Sequence, residues 1–359
     1  MGSLENKYME AQQLFDPTNS DISDSALVGC QAEFLAKNVP FYSQHYSSTN
    51  RSAVSCRSDY PNISTSLVRT RSSLDFLCPK EAMGEDYYII ERATGGTTGA
   101  SMSVFYTQSD WHVLVDLHAR IFQSFLKNLA QRPVGYNCYN QGHVSGPIFS
   151  EGLAKAGTLV INRPLGIGIE DVLSSIKSNN VRIIVAPSLS TRKGISLENL
   201  LELDSLQRTP YINGRNIDAV IVSSTCLDDS LFQELTELGV TTIINLYGST
   251  EIFPLAVGCP LQPQLLHTIT TVNRVDVVTP DGTPVEHGGE GFIRASRVGR
   301  IANGFYVPSR STGLVNYVNG DVATVVRGSC PCGFSGLSLL RITRHEFVQE
   351  KLQNGCQEW

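Results

Sequence analysis

The chain has 359 residues and a mass of 39.2 kDa, 41% of them hydrophobic and 17% charged, so it can bury a full core and is too long for one ordinary small domain. A net charge of -6, an isoelectric point near 5.7 and scattered Lys and Arg exclude a general binder of nucleic acid or acidic membranes, so any phosphate handling must be local. The opening MGSLENKYMEAQQLFD has no cationic start before an apolar core, no stretch reaches about eighteen apolar residues, and nine cysteines make an odd count for a disulfide framework. Most of those cysteines stand alone in apolar surroundings, as at Cys30, Cys138 and Cys226. The expectation is a cytoplasmic, reducing setting with neither nucleic-acid nor membrane partners.

Residues 1–86 are rich in Ser, Asn and Tyr and read as a covering segment of the core, with one helix over 25–38 that ends before Val39-Pro40. An α/β core follows over 87–269. It opens with strands at 87–90 and 101–106 around a Gly/Thr turn at 95–99, then a helix from Ser109 to 130 that sets Leu114, Leu117, Ile121 and Phe125 near one face. Apolar runs at 158–162, 182–186, 219–223 and 241–246 alternate with helical segments such as 229–238, which closes on Gly239. That alternation predicts mainly parallel sheets packed with helices. Residues 270–340 read as a small β-rich subdomain: 274–279 and 291–295 flank the turn Pro280-Asp281-Gly282, and 317–327 supplies another strand pair. Residues 341–359 make a short polar tail.

Three segments carry chemistry. In Ala93-Thr94-Gly95-Gly96-Thr97-Thr98-Gly99-Ala100 the glycines let backbone N–H groups approach an anion and the threonines add hydroxyl donors. On chemistry alone this is either a polyphosphate cradle or a flexible hairpin, and it is neither a Lys-ending P-loop nor a dinucleotide fingerprint. Tyr247-Gly248-Ser249-Thr250-Glu251 follows a buried strand, and Asn319-Gly320-Asp321 lies in the β-rich part.

In this order the three segments resemble the adenylate-forming superfamily of acyl-CoA synthetases and nonribosomal adenylation domains. The resemblance implies the large N-terminal core of such an enzyme, an acid:AMP ligase that uses ATP and Mg²⁺ to turn a small aryl or amino-aryl carboxylic acid into acyl-AMP and pyrophosphate. It implies that Thr94, Gly95, Gly96, Thr97, Thr98 and Gly99 hold the β- and γ-phosphates, that Tyr247 stacks on adenine within the run Gly248 and Ser249, that Thr250 contacts the α-phosphate, that Glu251 binds Mg²⁺, and that Asp321 takes the ribose hydroxyls. Thr97, Thr98, Thr250 and Glu251 are then the catalytic set. His143, in Asn140-Gln141-Gly142-His143, falls where the superfamily closes its carboxylate pocket, and Ser223 and Tyr247 join it in that pocket.

Asn38-Val39-Pro40-Phe41-Tyr42 and Cys330-Pro331-Cys332-Gly333 place the closest resemblance in the phenylacetate-CoA ligase branch. Some members of that branch carry a structural Zn²⁺, which here implies a closed site of Cys259, His267, Cys330 and Cys332. Complete members continue into a mobile lid domain with a catalytic lysine. Ile342-Thr343-Arg344-His345-Glu346 resembles the hinge before it, with Arg344 counted among the ATP-binding residues, and the expectation is a chain without that lid, which a partner could supply. The acceptor stays open among CoA, a carrier-protein thiol and an amine, as does a homodimer. Two alternatives also stay open: a non-catalytic nucleotide or acyl-AMP binding module, and an acyl-protein synthetase that uses Cys356.

Overall fold

The computed structural model describes residues 24–47, 60–93, 103–129, 132–188, 195–223, 227–302 and 305–344. In chain order the strands are β1 (Ile63–Ser64), β2 (Tyr88–Ala93), β3 (Ser103–Thr107), β4 (Val134–Asn137), β5 (Leu159–Asn162), β6 (Ile183–Ala186), β7 (Ala219–Ser223) and β8 (Thr242–Tyr247). They continue as β9 (Ala256–Gly258), β10 (Leu266–Thr268), β11 (Asn273–Val278), β12 (Glu290–Arg297), β13 (Arg300–Ala302), β14 (Phe305–Val307), β15 (Tyr317–Ser329) and β16 (Ser335–Arg344). Twelve of these form one sheet in the order β11-β12-β15-β16-β10-β9-β8-β7-β6-β4-β5, with β1 attached to β15, while β2-β3 and β13-β14 are separate ribbons.

The half from β8 to β5 is parallel, as the alternation of strands and helices predicts. Its central strands are apolar except for Ser223 because helices cover both faces: β6 and β7 are buried at every position. Helix Asp229–Glu237 shows how locally this is written. Asp228 caps its start by accepting from the Leu231 N–H at 2.8 Å, Leu231 and Leu235 face the core, and Gly239 at φ 81° ends the turn after it. Helix Gln108–Leu126 is capped by Thr107, whose hydroxyl accepts from Asp110 N, and it stops short of the expected residue 130.

The β-rich part is an antiparallel continuation of the same sheet. β9 turns antiparallel against β8, β10 follows, and β10 meets β16 in two registered pairs, Leu266 with Leu339 and His267 with Ser338. Tyr317–Arg327, expected to supply a strand pair, lies in one strand that runs to Ser329. Gly320 at φ 83° and a register shift between Val322 and Thr324 bend it without breaking it. It pairs with β16, so 341–344, expected in a tail, lie in a strand, with Thr343 opposite Val322 and the Arg344 backbone opposite Asp321. Two adjoining apolar clusters pack the molecule, one running from helix Asp24–Asn38 through β3 to β16 and one between β4, β6, β7 and their covering helices. No described helix is long and apolar enough to cross a membrane.

The Asp110 carboxylate ties the first turn of helix Gln108–Leu126 to the loop after β14. Its Oδ2 accepts from Ser309 Oγ at 2.9 Å, Arg310 N at 3.1 Å, and Ser311 N and Oγ at 3.0 and 2.8 Å. Buried Gln31 clamps the same loop by donating to Ser309 O at 2.8 Å and accepting from Ser309 N at 3.0 Å. Because removal of this partly buried acceptor strands several donors at once, Asp110→Ala is expected to lower the urea-unfolding free energy by about 2–4 kcal/mol, and an unchanged midpoint would show the clamp to be dispensable.

Candidate functional site

The chemistry-bearing residues gather where β8 ends, the strand at which parallel pairing with β7 gives way to antiparallel pairing with β9. The turn 247–255 is held by Leu255 N donating to Tyr247 O at 2.8 Å and by Ser249 N donating to Ile252 O at 3.1 Å, while Ser249 Oγ accepts from Ile252 N at 3.3 Å. Gly248 is required there because a Cβ would lie 2.5 Å from the Phe253 ring. Thr250 and Glu251 are buried, and their carbonyls are fixed from outside the segment. Tyr106 of β3 donates its hydroxyl to Thr250 O at 2.9 Å, and Arg297 of β12 donates from Nη2 to Glu251 O at 3.2 Å. The Arg297 guanidinium sits 5.0 Å from the centre of the Tyr106 ring, so cation and ring brace one another. Sequence reasoning missed both residues: a tyrosine in a strand and an arginine in a β-ladder carry no local sign that they converge on one loop.

Tyr247, Asp321 and Asn319 form a closed hydrogen-bonded group across the sheet. The Tyr247 hydroxyl donates to Asp321 Oδ2 at 2.7 Å, and Asn319 Nδ2 donates to the Tyr247 oxygen at 2.8 Å and to Asp321 Oδ2 at 3.2 Å. Asn319 Oδ1 in turn accepts from Asp321 N at 3.0 Å. Burial, and next the nearby Glu251 charge, push the phenol of the neighbouring Tyr317 well above its ordinary value. His143 enters from the loop after β4, with Nε2 3.0 Å from Thr250 Oγ1, and its burial holds the imidazole below its usual basicity.

The structure therefore brings His143, Tyr247, Thr250, Glu251 and Asp321 into one region. Ser223 lies one strand over, at the end of β7 opposite Leu246, where its carbonyl accepts from the Tyr139 hydroxyl at 2.6 Å. Tyr139 is a further residue of this region, packed edge-on against Phe149 at 5.3 Å. The loop Thr94, Gly95, Gly96, Thr97, Thr98 and Gly99 lies outside the described residues, as do Glu346 and Cys356. Of Arg344 only the backbone is described, in register with Asp321.

A second constellation sits at the seam of the sheet. Cys259 follows β9, His267 lies on β10, and Cys330 and Cys332 occupy the β15–β16 turn, with their four ligand atoms all within 4.8 Å of one another. The Cys259 and Cys330 sulfurs are 3.7 Å apart, close to the roughly 3.8 Å edge of a tetrahedral thiolate site with metal–sulfur bonds of about 2.3 Å. His267 Nε2 is 3.1 Å from Cys332 Sγ, while its Nδ1 pairs with Ser338 Oγ at 2.8 Å and its ring stacks on Phe334 at 4.2 Å. The ring is thus oriented from behind, as ligating imidazoles generally are. The Cys332 thiol, hydrogen-bonded to Cys259, holds the Cys259 thiol far below its ordinary value against the opposing effect of burial. Three thiols and one imidazole, with no further His, Cys, Asp or Glu grouped with them among the described residues, fit a closed soft-metal site.

No family model matches the sequence, and no curated protein matches it. Solved structures do. 2-Hydroxyisobutyryl-CoA ligase in an open conformation with 2-HIB-AMP and CoA superposes with a TM-score of 0.70 at 12% identity over 91% of this chain and 79% of that one. The chain has the fold of the adenylate-forming ligases. The same ligase in its postadenylation state with 2-HIB-AMP gives 0.68 at 13% identity over 91% of this chain and 71% of that one. In the thioesterification state with 2-HIB-AMP and CoA it gives 0.68 at 14% identity, over 88% of this chain and 65% of that one. Against these ligases this chain thus spans between 65% and 79% of their length. Identities this low carry the ligase fold and leave the chemistry to be argued from this chain's own residues.

Gly248→Ala tests how tightly the turn is built. The added methyl must push the Phe253 ring or move the backbone, so the variant is expected to lose about 1–3 kcal/mol in denaturant unfolding, whereas a neutral result would mean that the turn has slack.

Proposed function

We propose that the chain activates a carboxylic acid with ATP, releasing pyrophosphate and forming an acyl-AMP that is passed to CoA, a carrier thiol or an amine. The observation that carries this reading is the hydrogen-bonded meeting of Tyr247, Asp321 and Asn319 beside the buried Thr250–Glu251 pair, at one end of β8 in a ligase fold. A phenol ring next to a carboxylate suits a nucleoside: the ring offers a stacking face to adenine and Asp321 offers two oxygens to the ribose hydroxyls. Thr250 is placed to donate to an α-phosphate oxygen as the acid's carboxylate attacks phosphorus and charge builds on those oxygens. Thr94, Thr97 and Thr98, with Gly95, Gly96 and Gly99, serve the outer phosphates in this reading.

Glu251 is a carboxylate next to Thr250, and hard oxygen ligands suit Mg²⁺, so Glu251 is the residue assigned to hold it. The bound ion supplies charge neutralisation on the phosphates. His143, Ser223 and Tyr247 border the acid side, with Tyr139 and Phe149 adding aromatic wall, which favours a small aryl or amino-aryl acid. A structural Zn²⁺ at Cys259, His267, Cys330 and Cys332 belongs to the same reading, because two buried thiols and one half-buried thiol grouped around an oriented imidazole match its donor preference.

Acid-dependent ATP–pyrophosphate exchange against a panel of aryl, amino-aryl and fatty acids tests the activity. Exchange with one acid class is expected, and Glu251→Gln is expected to lower it by about 10²–10³-fold. ATP binding without exchange for any acid would overturn turnover and leave a nucleotide-binding module. The metal is tested separately. The purified chain should hold about one zinc atom, lose it in Cys332→Ser, and melt about 5 °C or more lower when a chelator removes it. A metal-free chain whose melting ignores added zinc would contradict the assignment.

A further inference from the structure

A threonine hydroxyl has one proton to donate, and its direction is set by whatever occupies the other side of the oxygen. At Thr250 that occupant is His143, with Nε2 3.0 Å from Oγ1. The imidazole's other nitrogen, Nδ1, lies 3.2 Å from the backbone N of Ser145. A backbone N–H can only donate, so Nδ1 must be the unprotonated nitrogen and the ring proton must sit on Nε2. The opposite tautomer would set two N–H groups against each other. It would also leave the first N–H of helix Ser145–Lys155 without this acceptor, because Val144 at the cap position contributes no side-chain hydrogen bond. Burial lowers the basicity of the ring and so favours its neutral form, in the same direction as one protonated nitrogen.

The loop that carries His143 is rigid enough to matter. His143 N donates to Asn140 O at 3.0 Å, Gly142 N to Asn140 Oδ1 at 2.8 Å, and Gly146 N to His143 O at 3.0 Å. Gly146 packs so closely that a Cβ would lie 2.3 Å from Asn140 O, and its own carbonyl accepts from Asn137 Nδ2 at 2.7 Å. At the other end Thr250 is fixed through its carbonyl by Tyr106.

We infer that His143 is a positioning residue for acid activation: it donates from Nε2 to Thr250 Oγ1 and so turns the Thr250 hydroxyl proton away from the ring, toward the α-phosphate oxygen of the bound nucleotide. The inference rests on the proposed placement of Thr250 at the α-phosphate. It separates His143 from a pocket wall, since a wall needs only the ring's shape while this role needs its Nε2 proton.

The test pairs a spectrum with kinetics. In ¹⁵N-histidine-labelled chain without substrates, with the His143 signals assigned by their loss in His143→Asn, Nε2 should resonate as a pyrrole-type nitrogen and Nδ1 as a pyridine-type one. In pyrophosphate exchange His143→Asn, which keeps an acceptor near Nδ1 and loses the distal donor, should lower kcat about 30-fold and leave KM for ATP within about twofold. His143→Gln, which restores a distal N–H, should recover at least about tenfold of that loss, and in a Thr250→Val background His143→Asn should cost nothing more. A proton on Nδ1, equal losses in the Asn and Gln variants, or an undiminished loss without the Thr250 hydroxyl would each overturn the inference. Should the wild-type chain show no exchange, the functional proposal falls separately, and the spectrum still decides: a proton on Nε2 sustains the wiring and one on Nδ1 overturns it.

Discussion

Two residue pairs, Leu266 with Leu339 and His267 with Ser338, join the β8-β9-β10 side of the sheet, which carries the parallel strands, to the β16-β15 side. Everything on the functional side of the molecule presupposes that seam. Tyr247 is delivered by the last parallel strand and Asp321 by β15, so their 2.7 Å hydrogen bond exists only if the two halves keep their register. A ladder this short resists little twisting by itself, because each strand pair contributes modestly. The Cys259, His267, Cys330 and Cys332 cluster lies across the same seam, with ligands from both sides and His267 itself a ladder residue. A closed metal site there would act as a rivet, fixing the angle between the strand that carries Tyr247 and the strand that carries Asp321.

The site's inner construction follows a consistent division of labour. Backbone carbonyls of Thr250 and Glu251 are pinned by Tyr106 and Arg297 from strands far away in sequence, so neither bond uses the side chain of the residue it holds. His143 reaches the Thr250 hydroxyl from a third direction, through a loop that its own hydrogen bonds stiffen. Positioning from several elements is what a reaction dominated by charge on phosphate oxygens demands, since fixed donors stabilise that charge without reorganising.

Much of this was legible in the chain before folding. The buried runs that became β6, β7 and β8, the helix that starts at Asp229 and closes before Gly239, and the position of Tyr247 at the end of a buried strand all follow from periodicity and motif. The grouping of Cys259, His267, Cys330 and Cys332, which converge at the seam, was implied by the family resemblance. What was not legible is instructive. β4, β9 and β10 are three or four residues long, too short for a pattern to emerge, and β10 is the strand on which the sheet's continuity depends. The tail reading of 341–344 failed because β16 finds its partner in a strand whose Asn319-Gly320 imitates a turn. Arg297, Tyr106 and Asn319 act through partners tens to hundreds of positions distant, and no local window contains such information.

The central claim is that the Tyr247–Asp321 junction at the seam is a nucleotide site. Calorimetric titration of ATP and of 2′-deoxy-ATP into the wild-type chain and into Asp321→Ala tests it most directly. The account predicts saturable ATP binding, weaker binding of the deoxy nucleotide, and at least about tenfold weaker ATP binding in Asp321→Ala, with the gap between the two nucleotides closed in that variant. Equal affinity of wild type and Asp321→Ala for ATP, or no binding by the folded wild-type chain, would contradict it.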